Sequence, residues 1–314
     1  MSTSEQKDII REGVAELAGP PPSTSSAWQP ATPFETRAPL VAPTEDELEF
    51  AFAENLFDLF RAMSHLPDAE IMETPTLSRH LAFPFNPMFK GVWQTRLPDD
   101  AEADVDAAIV DALAWFTARN APFAFWWVDP TTSPADMGAR LLAHGFAAWE
   151  EDAPGMAARL EELTYELLTR VPAGYQQERV TDERGLLDFK DAFVNGFEVP
   201  DWAGQAWVDA TRAFGIERAP WRCYVGRLDG RPVASNMLFI GAGVASVFGV
   251  ATAPEARGHG IGSAITLIAY DEARQLGYRH GVLFGTELGV PVYRSMGFRD
   301  VGASMSRYLW RSDS

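Results

Sequence analysis

The sequence predicts an α/β protein built as two mixed-sheet units in tandem, the first a degenerate copy of the second. Three observations predict this. Each half alternates strand-like and helix-like segments in the same order. Each half also closes on a helix, a Gly-Phe pair and a strand: Arg140-Leu-Leu-Ala-His-Gly-Phe146 in the first, Val292-Tyr-Arg-Ser-Met-Gly-Phe298 in the second. Matching signatures at matching places indicate duplication. Finally, a glycine-rich corner, Arg257 to Gly262, stands only in the second half.

Residues 1–45 form the first segment. Their stretch 20–45 is rich in Pro, Ser and Thr without apolar periodicity and reads as a flexible arm. The first unit spans 46–165. It opens on a helix over 45–63, with Leu48, Phe52, Leu56, Leu59 and Phe60 on one face and Thr44 with Glu47 as a capping box. A strand follows with its core from Met88 to Leu97, then a helix over 104–119, an apolar strand over 123–128 and a short helix over 134–144. The second unit spans 170–314. Its elements are a strand over 175–180, helices over 182–197 and 202–214, and a hairpin, 221–227 and 232–240, turned by Asp229-Gly230. A strand over 244–251, a helix over 262–276 ended by Gly277, a strand over 281–286, a short helix to Met296 and a final strand pair to Trp310 complete it.

Composition removes several function classes. The 26 basic residues stand against 44 acidic ones, a formal charge of −18, which argues against a nucleic-acid partner. No apolar run reaches the ~18 residues of a membrane helix, and the N-terminus lacks a secretory pattern. The single cysteine, Cys223, excludes an internal disulfide framework and fits the cytoplasm. No metal-spaced His/Cys/Asp cluster and no Gly-x-Ser-x-Gly elbow occurs.

The chemistry-bearing segment is Val250-Ala-Thr-Ala-Pro-Glu-Ala-Arg-Gly-His-Gly-Ile-Gly-Ser263. A strand ends near Thr252, Pro254 breaks its ladder, and the glycines open a helix. Glycines admit close backbone approach, and a helix N-terminus offers unpaired N–H groups to a pyrophosphate. The dinucleotide fingerprint Gly-x-Gly-x-x-Gly competes, but Gly258, Gly260 and Gly262 are spaced differently, and no acidic residue ends the next strand at the place expected for a ribose contact.

Here the C-terminal 135 or so residues resemble the GCN5-related N-acetyltransferase (GNAT) superfamily. Arg257-Gly258-His259-Gly260-Ile261-Gly262 fits its coenzyme A motif, Arg/Gln-x-x-Gly-x-Gly/Ala, and Tyr293-Arg-Ser-Met-Gly297-Phe298 fits its later Tyr…Gly-Phe motif. The resemblance implies tandem GNAT-like domains and acetyl-CoA as cosubstrate. The backbone of Val250, Ala251 and Thr252 would then hold the pantetheine arm, amides from Arg257 to Ser263 the pyrophosphate, and Val250 N–H or its neighbour the oxyanion. Tyr293 would protonate the departing thiolate. One departure is Thr286, which stands where the family often has Asn.

Tyr293 can equally be read as a packing residue between Val292 and Phe298. No acidic residue stands on the strand over 244–251, so the general base falls to Glu287, next to Glu198 or Asp201, or to a water relay. Trp202 and Trp207 are candidates for the acceptor wall. Trp93, Phe125, Trp126 and Trp127 can line an acceptor pocket between the halves or fill a core, and for a run like 123–128 the core reading is favoured. In the first half Leu97-Pro-Asp-Asp-Ala-Glu-Ala-Asp104 replaces the glycine corner with acidic residues that repel a pyrophosphate, so one coenzyme site per chain is expected. The expected reaction is acetyl transfer to the amine of a small molecule or peptide by direct attack on the thioester. The alternative is a non-catalytic acyl-CoA-binding regulatory or protein-interaction module.

Overall fold

The first helix starts as its capping pattern predicts. Thr44 Oγ1 accepts the Glu47 N–H at 3.2 Å, and the Glu47 carboxylate accepts the Thr44 N–H at 2.7 Å. The computed structural model describes residues 35–82, 89–98 and 102–312. In chain order the elements are α1 (Glu45–Met63), β1 (Glu70–Glu73), β2 (Ser78–Leu81), β3 (Lys90–Trp93), α2 (Glu102–Thr117), β4 (Phe123–Val128), α3 (Met137–Ala143) and β5 (Ala147–Arg159). Then come β6 (Tyr175–Arg179), α4 (Glu183–Phe197), α5 (Asp201–Phe214), β7 (Trp221–Leu228), β8 (Arg231–Gly241), β9 (Val244–Thr252), α6 (Ile261–Gln275), β10 (His280–Phe284), α7 (Val290–Met296) and β11 (Arg299–Arg311).

Among the described residues the strands form one sheet, ordered β1-β2-β3-β4-β11-β5-β10-β9-β8-β7-β6. The two halves exchange their last strands. β5, from the first half, pairs with β10 of the second, and β11 pairs with β4. The two long strands then pair antiparallel with each other at the centre. Each half also contains one parallel pair at the equivalent place, β3 with β4 and β9 with β10. This is the mixed sheet and tandem repeat that the sequence predicts.

Period-two alternation distributes β4 to both faces. Phe125 and Trp127 pack with α1, whereas Trp126 packs beneath α2 with Ile109 and Phe116. Trp93 and these three β4 aromatics are at most 2% exposed, so the core reading holds. Helices α4 and α5 cover the same face as α1, and α6 covers the other.

Three expectations change. The final strand pair is one 13-residue strand, β11, bent where its register slips between Asp300 and Ser304, with Gly302 at φ +78°. Of the strand expected from Met88 to Leu97, Met88 lies outside the described residues, and β3 ends at Trp93 because Gln94 turns at φ +55°. β1 and β2 were not legible, since one is exposed at every residue and the other buried at every residue, so neither alternates. Of the expected arm, residues 1–34 lie outside the described residues. The stretch 35–44 is docked, with Leu40 N–H on the Gly243 carbonyl at 2.9 Å and the Arg37 carbonyl accepting the Tyr278 hydroxyl at 3.1 Å.

Helix α1 ties the first half to the β8–β9 turn through buried polar groups. Asn55 Nδ2 donates to the carbonyls of Gly241 and Val244 at 3.0 and 3.3 Å, and Asp58 Oδ2 accepts the Ala242 N–H at 2.7 Å. Arg37 and Arg61 each reach Asp58 Oδ1 at 2.9 Å, neutralising a carboxylate that is 3% exposed. Removing one member strands the others in the interior, which is costly. Asp58→Ala is expected to lower the unfolding free energy by about 3 kcal/mol, read by urea denaturation. A loss under about 0.5 kcal/mol, the range of ordinary surface changes, would rule out this network as the tie.

Candidate functional site

The site begins where two parallel strands part. β9 and β10 pair only at Gly281 with Ala245 and at Val282 with Ser246. β10 continues along β5 through Phe284, while β9 runs on along β8 to Thr252. β9 also carries an extra residue. Met237 faces Phe248 but Ser235 faces Ala251, and Gly249 takes φ +60° with its carbonyl accepting the Ser235 hydroxyl at 2.9 Å. Such a bulge kinks a strand and re-aims its side chains. The edge of β9 that carries Val250 is therefore not laddered to β10, and Val250 is half-buried.

Past Thr252 the chain makes one tight turn, Pro254–Ala256, and then the glycine corner. Gly258 and Gly260 sit at φ +77° and +79°, which side chains other than glycine rarely adopt. Gly260 is the N-cap of α6. None of the backbone N–H groups of Gly258, His259, Gly260, Ile261, Gly262 and Ser263 has a hydrogen-bond partner among the described residues. Arg257 through Gly260 are exposed, and Gly262 and Ser263 half-buried. A run of unpaired donors at the positive end of a 15-residue helix is an anion cradle in form.

The Arg257 side chain turns into the protein. Its Nε donates to the Thr252 carbonyl at 3.0 Å and its Nη2 to the Gly196 carbonyl at 2.9 Å, fastening the corner to the end of α4. The His259 Nδ1 lies 2.7 Å from the Arg257 carbonyl, which makes it part of the turn. Gly260 is also pressed from outside, since a Cβ there would lie 2.2 Å from the Arg170 carbonyl of the segment joining the halves. A bulky residue at Gly260 would disturb the fold, so it is not a clean probe of the corner. Gly262 is cleaner, because a Cβ there meets only Thr252 Oγ1, at 3.4 Å.

Tyr293 stands on α7 and belongs to the apolar cluster that also contains Val250, Ile261 and Tyr270. Two glycines make its seat: a Cβ would lie 2.8 Å from the ring at Gly289 and 3.6 Å at Gly285. The ring is half-buried, and its hydroxyl has no hydrogen-bond partner among the described residues. Burial pushes the phenol pKa up to about 12. The loop before α7 is closed by Thr286, whose carbonyl accepts the N–H groups of Gly289 and Val290, each at 2.9 Å.

The proposed bases and acceptor-wall residues fare differently. Glu287 is exposed in that same loop, with no ion pair among the described residues. Asp201 is paired with Lys190, and Glu198 caps α4 in a left-handed conformation, φ 54°. Trp202 is half-buried in the first turn of α5. Trp207 is 3% exposed, edge-on to Trp221 at 5.6 Å and 4.8 Å from Phe89. It is a core residue, and its reading as an acceptor wall is corrected on that ground. The glycine seat at Gly285 and Gly289 and the pressing Arg170 carbonyl were missed. Two glycines flanking a motif Tyr were the available signal for the first, and nothing in the sequence signalled the second.

No helix among the described residues is long and apolar enough to cross a membrane, and no group of three His, Cys, Asp or Glu side chains among them can hold a metal ion. Residues 189–298 match the model of the Acetyltransferase (GNAT) family. No curated protein matches the chain. Among solved structures it is similar to a GCN5-related N-acetyltransferase from Kribbella flavida, at 19% identity over 83% of this chain and 94% of that one, with a TM-score of 0.62. It is also similar to a tandem GNAT protein from the clavulanic acid biosynthesis pathway, at 16% identity over 88% of this chain and 98% of that one, with a TM-score of 0.53. At such identities the likeness is one of fold. The part of the chain that carries the corner and Tyr293 is a domain of the GNAT acetyltransferase family, and the chain has the tandem GNAT fold.

Proposed function

We propose that this protein is an acetyl-CoA-dependent N-acetyltransferase whose acceptor is the amine of a small molecule or peptide. The observation that carries the proposal is the run of six unbonded amides, Gly258 to Ser263, at a corner that is exposed from Arg257 to Gly260 and lies past the point where β9 parts from β10. The amides would hold the pyrophosphate by charge-assisted hydrogen bonds and the α6 dipole. The edge of Val250, Ala251 and Thr252 on the β10 side, which β10 does not ladder, would hold the pantetheine arm, which leads the thioester toward Tyr293.

In the proposed reaction the neutral amine nitrogen attacks the thioester carbonyl carbon, and the carbonyl oxygen becomes an oxyanion that the Val250 N–H or its neighbour can meet. Collapse breaks the C–S bond. The departing thiolate takes a proton from the Tyr293 hydroxyl, and the proton released by the amine passes to Glu287 or to water. A phenol held near pKa 12 is a weak acid, so its main contribution is a hydrogen bond that strengthens as charge develops on sulfur.

Two outcomes test this reading. Gly262→Leu fills the gap beside Thr252 without a forbidden backbone angle, so calorimetry with acetyl-CoA should show affinity reduced at least about tenfold with thermal stability retained. Unchanged affinity would remove the corner as the coenzyme site. Tyr293→Phe should keep coenzyme affinity and lose about 10²- to 10⁴-fold in kcat against a panel of amines, amino acids and peptides. The wild-type pH profile should rise as the acceptor amine deprotonates. It should not fall below about pH 11, because the working form of Tyr293 is the protonated one and its pKa lies near 12. An alkaline limb centred near pH 10, the free phenol value, would contradict this assignment. Coenzyme binding without turnover of any amine would favour a non-catalytic acyl-CoA sensor.

A further inference from the structure

A second cavity lies at the other end of β10, away from the Tyr293 loop. It has a volume of about 490 Å³ and is bounded by the docked stretch before α1, by β5 and by the first residues of β10 and β11. In a chain of net charge −18 its lining is locally cationic, with Arg159, Arg279 and Arg299 against Glu45 and Glu162. Two of the guanidiniums are already matched. Arg299 holds both Glu45 oxygens at 2.7 Å, and Arg159 lies against Glu161 and Glu162. Arg279 is exposed and has no carboxylate partner among the described residues. Beside it His280 is 8% exposed, and its Nδ1 is buried without a hydrogen-bond partner. A buried polar atom left in that state costs free energy that a ligand or a bridging water can recover.

We infer that this cavity binds a monocarboxylate with a small apolar body. The charge of the ligand follows from the lining. Arg299 is matched by Glu45 and Arg159 by Glu161 and Glu162, so Arg279 is the one lining guanidinium without a carboxylate among the described residues; a monoanion is matched by it, whereas a phosphate dianion would face Glu45 and Glu162. The apolar body follows from the opposite wall, where Val41, Pro43, Leu48 and Ala157 offer methyl and methylene surface. Arg279 is the fork that takes the carboxylate, as guanidinium geometry favours. Burial lowers the pKa of His280 beside it, with the Arg159 and Arg279 charges adding to the lowering against a hydrogen bond to the Leu40 backbone and the Glu161 charge.

Benzoate is a suitable probe, titrated into the full chain by calorimetry and by following the histidine ring resonances. The expected result is saturable binding at one site that shifts the His280 resonances. Arg279→Ala, an exposed change that leaves the core untouched, should weaken it at least about tenfold, and Arg279→Lys by less. Gly262→Leu should bind benzoate as the wild type does, which separates this site from the coenzyme corner. Absence of saturable binding, equal affinity in Arg279→Ala, tighter binding of inorganic phosphate than of benzoate, or loss of benzoate binding in Gly262→Leu would each overturn the assignment.

Discussion

The exchange of β5 and β11 is the constraint on which the rest of the molecule depends. Buried backbone donors and acceptors must be paired, and a strand that leaves its neighbour exposes a row of them. β10 can part from β9 after Val282 because its other edge is laddered to β5 along its full length, from His280 with Arg159 to Phe284 with Gly155. The strand that supports the site's opening is thus supplied by the first half. Conversely, β4 of the first half is completed by β11. Neither half can finish its sheet alone, and the polar contacts of α1 with the β8–β9 turn add a second tie between them.

The same architecture explains why one half keeps an opening and the other does not. In the first half β3 and β4 pair at only two positions, as β9 and β10 do. There, however, the gap is sutured. Ser133 N–H donates to the Thr95 carbonyl at 3.0 Å, Leu97 N–H to the Ser133 carbonyl at 3.0 Å, and the Ser133 hydroxyl to the Leu97 carbonyl at 2.6 Å. Trp126 Nε1 adds a bond to Thr95 Oγ1 at 3.0 Å. Leu141, fully buried, occupies the position that corresponds to Tyr293. The degeneracy is therefore structural as well as chemical: the first half has closed its cleft with hydrogen bonds and replaced the phenol with a core side chain.

Much of this was legible in the sequence where local signals are strong. The Thr44–Glu47 box, the Asp229-Gly230 turn and the Gly277 and Gly297 helix ends all appear with the backbone that their residue types demand. The glycine corner was legible because glycine spacing reports close approach directly. Strand exchange was not legible, since nothing in the residues of β5 or β11 specifies which neighbour each takes. Trp207 misled for a related reason. A tryptophan in the middle of a helix reads equally as a wall or as a core residue, and only its partners, Phe89 and Trp221, decide. The inward turn of Arg257 was hidden likewise, because the motif fixes the residue and not its rotamer.

A chain of charge −18 that would hold a polyanionic coenzyme presents an electrostatic tension that the corner resolves by range. At physiological salt, exposed charges more than about 8 Å apart are largely screened, so the acidic surface acts on approach and hardly on the bound state. Within the corner the donors are backbone amides and a helix dipole, whose effect is confined to the first turn and does not require basic side chains. Arg257 spends its hydrogen bonds on the Thr252 and Gly196 carbonyls, so it supplies rigidity to the cradle along with a nearby positive charge. Preorganised donors cost nothing to reorient when the anion arrives, whereas lysine and arginine side chains on the surface would have to be ordered. An acidic exterior and a phosphate-binding corner of the proposed kind would therefore be compatible.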